Sequence, residues 1–274
     1  MVAWIDERDG GPDGVALEHV YASRGTLDGR SFAPAVRVDA GTPSPLSASL
    51  DNKWAPAILA AGQDVHVAWV DFRDYNWDVY VARSNDGGRT YGTNQRVNLF
   101  EGFERICDAP ALALGRSGTV QLAWTDVRAR APDSNVFVAQ SRDGGISWQP
   151  DRQLDGSRRT FDPDHDRPSL QSAVALARAG ERGLAVWQDD RAGNNDILFA
   201  ALDDARGGIA GREERVDDTG DGPSNQHRPH LAVAGTGSAA RCVVAWEDDR
   251  DGAPRIYAAS RPCTPSVPPL ANRR

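Results

Sequence analysis

The sequence has little lysine and no long apolar stretch. One lysine, Lys53, stands among 31 basic residues, so nearly every cation is an arginine. No segment approaches the roughly 20 apolar residues that a membrane-spanning helix needs. The net charge of −8 argues against a nucleic-acid groove, which requires clustered positive charge. We therefore expect neither a membrane span nor a nucleic-acid partner.

Cysteine is also scarce, with Cys107, Cys242 and Cys263 as the three copies. No Cys-x-x-Cys spacing is present, and the histidines show no metal-binding pattern, so we expect no metal and no cofactor. Cys242 and Cys263 either pair or remain free thiols. No signal peptide is visible because Met1 leads straight into a strand pattern. A secreted or periplasmic location, which we expect, requires a leader that was removed or lies upstream; a cytoplasmic location stays open.

One motif, Trp-x-Asp-x-Arg, occurs five times in the chain. Its copies begin at Trp4, Trp69, Trp124, Trp187 and Trp246. The spacings are 65, 55, 63 and 59 residues. Recurrence at a nearly fixed distance of this size is typical of repeat proteins.

The best-preserved repeat unit extends from residue 54 to residue 98. It contains four short segments rich in β-branched or aromatic residues and bounded by Gly, Asp, Asn or Pro, at 57–60, 65–70, 78–82 and 95–98. No long window has helical periodicity. Four short antiparallel strands repeated around an axis describe a β-propeller blade. The sequence therefore predicts an all-β propeller of about five four-stranded antiparallel blades.

The second strand of each unit alternates large and small residues. Val65, Val67 and Trp69 fall on one face, whereas Ala68 and Val70 fall on the other. This alternation predicts that the bulky face of one blade packs on the flat face of its neighbour.

The predicted blades cover residues 1–40, 54–98, 109–155, 168–217 and 229–261. We count three, four, four, four and three strands, because the first blade lacks an inner strand and the last an outer one. A single domain of residues 1–261 is expected, followed by a Pro-rich disordered tail at 262–274. Either the ring closes irregularly, or the chain is part of a longer, six-bladed ring, which we favour.

Two turns after third strands carry a second motif. Residues 84–91 read Ser-Asn-Asp-Gly-Gly-Arg-Thr-Tyr and residues 141–148 read Ser-Arg-Asp-Gly-Gly-Ile-Ser-Trp. They resemble the Asp-box, Ser-x-Asp-x-Gly-x-Thr-Trp, of BNR-repeat, sialidase-like propellers. Blade one has a distorted version at 23–32 with two extra residues. The resemblance implies a structural turn away from the active-site face, formed by Ser84, Asp86, Gly88, Tyr91, Ser141, Asp143, Gly145 and Trp148.

The same resemblance identifies candidate catalytic residues. Sialidases bind the substrate carboxylate with three arginines and use a tyrosine, paired with a glutamate, as nucleophile. The corresponding candidates precede inner strands at Arg105, Arg167 and Arg228, with Tyr75 as nucleophile. Arg105-Ile106-Cys107 departs from the family's Arg-Ile-Pro, and no glutamate can be assigned to Tyr75.

The other tyrosines have structural explanations. Tyr91 belongs to an Asp-box. The remaining three share one third-strand position with two phenylalanines, and this set is Tyr21, Tyr80, Tyr257, Phe137 and Phe199. A position that accepts phenylalanine requires a ring rather than a nucleophile.

The motif arginines allow two interpretations. Asp and Arg two residues apart point to one face of an extended strand, so five copies favour a symmetric structural girdle. Alternatively, the arginines form a ligand-binding ring with aromatic platforms; this set is Arg8, Arg73, Arg128, Arg191, Arg250, Trp54 and Trp77. Tyr75 and Phe103 could add to the platforms. Asp162, Asp164 and Asp166 could form a weak Ca²⁺ site, but a solvated acidic loop is favoured.

We therefore expect a non-catalytic, sialidase-like propeller that binds a glycan or protein on the face of the strand 2–3 and inter-blade loops. The alternative is an exo-acting glycoside hydrolase of the sialidase type, which cleaves a terminal sialic acid or a related acidic sugar. The oligomeric state and the ligand stay open.

Overall fold

The computed structural model describes residues 1–9, 17–41, 52–73, 75–99, 107–128, 133–156, 169–180, 182–203, 208–216 and 224–263. This part of the chain forms five antiparallel sheets with strand counts of three, four, four, four and three. Three 3-10 turns are the only helical elements in these ranges, at Asp39–Gly41, Arg116–Gly118 and Gly237–Ala239. None of them could cross a membrane. The predicted all-β propeller and its strand counts are confirmed.

The sheets follow one another along the chain as blades one to five. Blade one contains β1 (Val2–Asp6), β2 (His19–Ser23) and β3 (Val36–Arg37). Blade two contains β4 (Lys53–Ala61), β5 (Asp64–Asp71), β6 (Asp78–Ser84) and β7 (Gln95–Arg96). Blade three contains β8 (Cys107–Leu114), β9 (Val120–Val127), β10 (Ser134–Ser141) and β11 (Arg152–Gln153). Blade four contains β12 (Gln171–Ala179), β13 (Arg182–Asp189), β14 (Asp196–Ala201) and β15 (Glu214–Arg215). Blade five contains β16 (Gln226–Ala234), β17 (Arg241–Asp248) and β18 (Arg255–Pro262).

The pairing register defines two edges for each blade. Asp71, at the end of β5, pairs with Lys53 at the start of β4 and with Asp78 at the start of β6. We call this the upper edge. At the opposite, lower edge, Ser84 at the end of β6 pairs with Val65 near the start of β5. The motif arginines therefore lie on the upper edge, and the predicted Asp-box turns at 84–91 and 141–148 lie on the lower edge.

Each inner strand has a β-bulge close to the upper edge. The register shifts between Trp54 and Ala57, and equivalent shifts occur at Asp108/Ala111, Ser172/Ala175 and His227/His230. The bulged residues Ala55, Ala173 and Arg228 have φ angles of +50°, +52° and +51°. Bulges redirect the side chains that follow or precede them, which makes this edge the place where the blades can differ.

Apolar cores lie between consecutive blades. In the core between blades two and three, Ala68 and Val70 of β5 contact Leu122 and Trp124 of β9. Equivalent cores join blades one and two, three and four, and four and five. The motif indoles of blades two, three and four are fully buried. The predicted packing of a bulky face on a flat face is confirmed.

Among the described residues, no apolar cluster joins blade five to blade one. Trp4 remains partly exposed on the outer face of blade one. On blade five, Ile256 is 73% exposed. In the described part of the chain, four apolar cores therefore join the five consecutive blades.

A disulfide joins Cys242 of β17 to Cys263, and both residues are buried. Their Cα atoms are 5.0 Å apart, and the backbone N–H of Cys263 donates to Ala240 O at 3.1 Å. The predicted tail therefore begins too early at residue 262, because β18 continues to Pro262 and the disulfide anchors the next residue. Residues 264–274 lie outside the described part, and the single-domain boundary stays a prediction.

We predict that Trp69→Phe destabilises the protein more than Trp124→Phe, by about 1–2 kcal/mol. Both indoles are completely buried, but Trp69 Nε1 donates to Asp71 Oδ2 at 2.7 Å, whereas Trp124 Nε1 has no acceptor among the described residues. Urea unfolding of the two variants measures the difference. Equal losses would mean that ring volume alone sets the cost of the substitution.

Candidate functional site

The Trp-x-Asp-x-Arg motif forms one compact unit on the upper edge. In blade two, Asp71 Oδ2 accepts from Trp69 Nε1, and Asp71 Oδ1 accepts from the backbone N–H of Arg73 at 2.9 Å. The Arg73 guanidinium also donates a hydrogen bond to Asp71 Oδ2 at 2.5 Å. The backbone bond recurs at Arg8, Arg191 and Arg250. One carboxylate thus ties the indole, the turn and the arginine together.

Aromatic rings on the third strand complete this unit. The Arg73 guanidinium carbon lies 4.2 Å from the centre of the Tyr80 ring, and equivalent contacts are Arg8–Tyr21, Arg128–Phe137 and Arg250–Tyr257. Such stacking stabilises a partly desolvated cation. These contacts support the girdle interpretation.

The ligand-binding assignment of Arg73 is wrong. Its side chain is 2% exposed, and its guanidinium also donates to Asn94 Oδ1 at 3.2 Å, so it offers no surface to a ligand. Arg8, Arg128, Arg191 and Arg250 are more exposed, but each also binds the aspartate of its own motif. A ligand contact of these four stays a prediction.

The aromatic position assigned to blade four is also wrong. In the other blades the ring lies opposite the motif indole, as Tyr80 lies opposite Trp69. In blade four, Leu198 lies opposite Trp187, and Phe199 pairs with Val186. Phe199 therefore belongs to the core with blade five, where the Arg261 guanidinium lies over its ring at 4.7 Å.

The two predicted Asp-box turns have the same hydrogen bonds. Asp86 Oδ1 accepts from the backbone N–H groups of Arg89 and Thr90 at 2.8 and 3.0 Å, and Gly88 N donates to Ser84 Oγ at 2.8 Å. The equivalent residues of blade three repeat this pattern; they are Ser141, Asp143, Gly145, Ile146 and Ser147. Hydrogen bonds from Thr90 and Ser84 lower the pKa of the Asp86 carboxyl. The turns are self-contained structural units.

The closing aromatic residues of these turns contact inter-blade cores. Tyr91 packs against the core between blades one and two, and Trp148 against the core between blades two and three. In blade one the predicted box at 23–32 is misplaced. There the hydroxyl that donates to the turn aspartate belongs to Thr26, which bonds to Asp28 at 2.5 Å. Ser23 instead donates to Ala33 O. The backbone N–H of Ala33 donates to Arg24 O, as that of Gly92 donates to Arg83 O in blade two, so the two hairpins close over the same number of residues and the two expected extra residues are absent.

Blade two presents an aromatic group on the upper edge. Trp54 and Trp77 meet edge to face at 5.7 Å, and Phe72 contacts Trp77 at 4.9 Å. Both tryptophans also pack against the core between blades two and three. Tyr75, in contrast, is 62% exposed and has a φ angle of +61°. Of these rings, Tyr75 is therefore the exposed one, and a role as a ligand platform stays a prediction; Phe103 lies outside the described residues.

The candidate catalytic residues are only partly described. Tyr75 lies on blade two, and in the described part its hydroxyl has no hydrogen-bond partner, so no glutamate is paired with it. Arg228 lies on blade five, is largely exposed, and forms an ion pair with Glu247 at 3.2 Å. Arg105 and Arg167 lie outside the described residues. Tyr75 and Arg228 therefore belong to blades two and five, and their convergence in one catalytic site stays a prediction.

Sequence reasoning missed a polar cluster on the upper edge of blades four and five. Gln188 Oε1 accepts from the backbone N–H of Arg228 at 3.4 Å and lies 3.3 Å from His227 Nδ1. Gln188 Nε2 donates to Asn195 Oδ1 at 3.1 Å. With Glu247, the cluster presents both donors and a carboxylate acceptor at the start of β16.

The sequence did contain a signal for this cluster. The residue after the motif tryptophan is Ile5, Val70 and Thr125 in the first three blades, but Gln188 and Glu247 in the last two. This slot lies beside the bulge of the inner strand. A change from β-branched residues to long polar side chains at one repeat position indicates a local departure from the structural pattern.

The only lysine is part of a buried ionic cluster between blades one and two. Lys53 Nζ lies 3.6 Å from Asp39 Oδ2, which is 3.0 Å from His19 Nδ1. Burial opposes ionisation of Asp39, but hydrogen bonds from Arg37 and His19 lower the pKa of its carboxyl. Because His19, Asp39 and Lys53 are all buried, the cluster stabilises the blade contact rather than facing a ligand.

Metal binding has no support in the described ranges, where no group of three or more His, Cys, Asp or Glu side chains could hold an ion. The candidate Ca²⁺ ligands Asp162, Asp164 and Asp166 lie outside those ranges.

No family model and no curated protein matches the chain. Among solved structures, an α-L-arabinanase from Penicillium chrysogenum complexed with arabinobiose aligns with 95% of this chain and 76% of its own, at TM-score 0.56 and 13% identity. An α-L-arabinofuranosidase from Fusarium graminearum aligns with 90% of this chain and 67% of its own, at TM-score 0.55 and 15% identity. NanB sialidase from Streptococcus pneumoniae aligns with 84% of this chain and 32% of its own, at TM-score 0.52 and 10% identity. These likenesses establish the propeller fold, and the chain spans about a third of NanB.

We predict that the Asp248 carboxylate makes stability fall in acid, and that Asp248→Asn removes this contribution. Burial opposes ionisation of Asp248, but hydrogen bonds from Arg250 and Trp246 outweigh it and lower its pKa from 3.8 to about 2. A lowered folded-state pKa contributes stability that is complete above the unfolded value and is lost as pH falls through the folded value.

The difference in unfolding free energy between the parent protein and Asp248→Asn should therefore be constant above about pH 5 and shrink between pH 4 and 2. Denaturant unfolding across this range measures it. A difference that does not change with pH would contradict the assignment.

Proposed function

We propose that the protein is a glycan-binding propeller that holds its ligand on the upper edge, with Tyr75 as an aromatic platform. The exposure of Tyr75 carries this proposal. Tyr75 exposes 62% of its surface on a non-glycine backbone at positive φ, so most of the residue is accessible to a ligand. Left-handed backbone in such a residue is unusual and often coincides with function.

The surroundings of Tyr75 suit a sugar. The contact between Phe72 and Trp77 restrains the loop that carries Tyr75. Ligand binding would therefore cost little conformational entropy in this loop. Elsewhere on the same edge, on blades four and five, Gln188, Arg228 and Glu247 supply donors and an acceptor for hydroxyl groups. Two of the similar structures hold arabinobiose or an iminosugar, which supports a glycan over a protein ligand.

We also infer that the chain is a BNR-repeat protein, supported by the two turns with matching Asp-box hydrogen bonds. A secreted or periplasmic location is supported by the Cys242–Cys263 disulfide, because such bonds persist in oxidising compartments. The sialidase-type hydrolase is the alternative. It requires a glutamate beside Tyr75, which the described residues do not supply.

We predict that Tyr75→Ala lowers affinity for the bound sugar about tenfold, whereas Tyr75→Phe retains it, because stacking requires the ring and not the hydroxyl. Arabinobiose and α2,3-sialyllactose are suitable probes, with affinity measured by calorimetry. Ile146→Ala is the matched control, since Ile146 is equally exposed at 62% but lies on the lower edge. The proposal fails if neither probe binds, or if the control loses as much affinity as Tyr75→Ala.

A fluorogenic sialoside separates binding from catalysis. We expect no turnover by the purified protein. Turnover that disappears in Tyr75→Phe would instead establish a hydrolase with a tyrosine nucleophile, because only the hydroxyl is removed.

A further inference from the structure

Two clefts occur at repeat-equivalent places near the lower edge. One lies between blades two and three and encloses about 390 Å³; the other lies between blades three and four and encloses about 350 Å³. Each is lined by the third and fourth strands of one blade and by the turn of the next. The repeat itself produces a cleft here, so only the differences between the two can indicate function.

The clefts differ in charge. The second cleft has Arg142 and Arg152 where the first has Asn85 and Gln95, in both cases 57 positions earlier. The described lining of the second cleft includes no aspartate or glutamate. A protein with a net charge of −8 thus places two guanidinium groups around one concave surface.

The arginine in the first cleft is neutralised locally. Arg83 Nη2 bonds to Asp64 Oδ1 at 2.5 Å. Arg152, in contrast, is exposed and has no carboxylate partner in the part of the chain that the structure describes. Its charge is therefore available to an incoming anion.

The inner end of the second cleft is lined by carboxamides. Gln121 is 2% exposed and lies at the repeat position that His66 occupies in blade two. There, His66 Nε2 lies at hydrogen-bond distance from Gly144 O, at 2.9 Å. A Cβ at residue 183 would lie 2.0 Å from Gln121 Oε1, so Gly183 is what makes room for this side chain.

The wall of the cleft is also ordered. Gln140 Nε2 donates to Gln149 Oε1 at 2.7 Å, which fixes two carboxamides next to the arginines. Amide groups both donate and accept hydrogen bonds, as sugar hydroxyls do. The cleft therefore combines cations with neutral groups that suit hydroxyls.

We propose that the cleft between blades three and four is a second binding site, for a sugar that bears a carboxylate. Guanidinium groups bind planar carboxylates in a bidentate manner, and the glutamines match the hydroxyls of the same ring. The volume is within the range of small-ligand pockets. Because the cleft is on the lower edge, the site does not depend on the role of Tyr75.

Calorimetry with tri-galacturonate tests the site, and the fully methyl-esterified trisaccharide serves as the uncharged probe. The parent protein should bind the acid at least tenfold more tightly than the ester. Arg152→Gln, which restores the residue type of blade two, should weaken binding of the acid about tenfold. Arg152 is exposed, so the variant should fold normally, which circular dichroism checks.

Two further variants isolate the site. Arg30→Gln removes the same charge from an arginine that is 87% exposed on blade one, and it should leave affinity unchanged. Tyr75→Ala should likewise have no effect, which separates this site from the upper edge. The inference is overturned if tri-galacturonate does not bind, if Arg152→Gln binds normally, or if Arg30→Gln loses as much affinity as Arg152→Gln.

Discussion

The fold depends on the contact between an indole-bearing sheet face and the flat face of the preceding blade. A single sheet of three or four short strands cannot bury its own apolar surface, so each blade is stable only beside a neighbour. Trp69, Trp124 and Trp187 are the largest fully buried side chains in these contacts. Burying an indole near a sheet edge requires a partner for its N–H. In blades one, two, four and five the motif aspartate accepts that bond, and its charge in turn requires the motif arginine.

Function in such a repeat is expected where the symmetry fails. The middle of the strands is nearly uniform, with alanine, valine and the motif indole recurring in register. Departures concentrate at the two edges: Tyr75 and the Gln188–Glu247 group on the upper edge, and Arg142 with Arg152 on the lower edge. At the position of Gln188 and Glu247, for example, blade two has Val70, which packs in the core with blade three. A structural requirement shared by all blades cannot account for these substitutions.

The sequence predicted the fold well because the signal was repeated. Five motif copies and the two turns at 84–91 and 141–148 indicated the strand order, the strand counts and the faces that pack. The sequence interpretation failed where the residue type changes at a repeat position. Leu198 lies 11 residues after its motif tryptophan, as Tyr80 does, but the search for an aromatic ring selected Phe199 one residue later. Nor could the sequence show that Lys53 is buried, because its counterparts in blades four and five are the neutral Gln171 and Gln226.

The near absence of lysine follows from what the arginines do. A guanidinium can stack on a ring and bind an aspartate in the same plane, as Arg73 does between Tyr80 and Asp71, whereas an ammonium group offers neither the plane nor the fork. Five motif positions therefore select arginine for structural reasons. Arginine content alone is a poor guide to ligand binding in this protein. Arg73 is buried, whereas Arg152 is exposed and has no carboxylate partner in the described part of the chain. Only the folded structure reveals this difference.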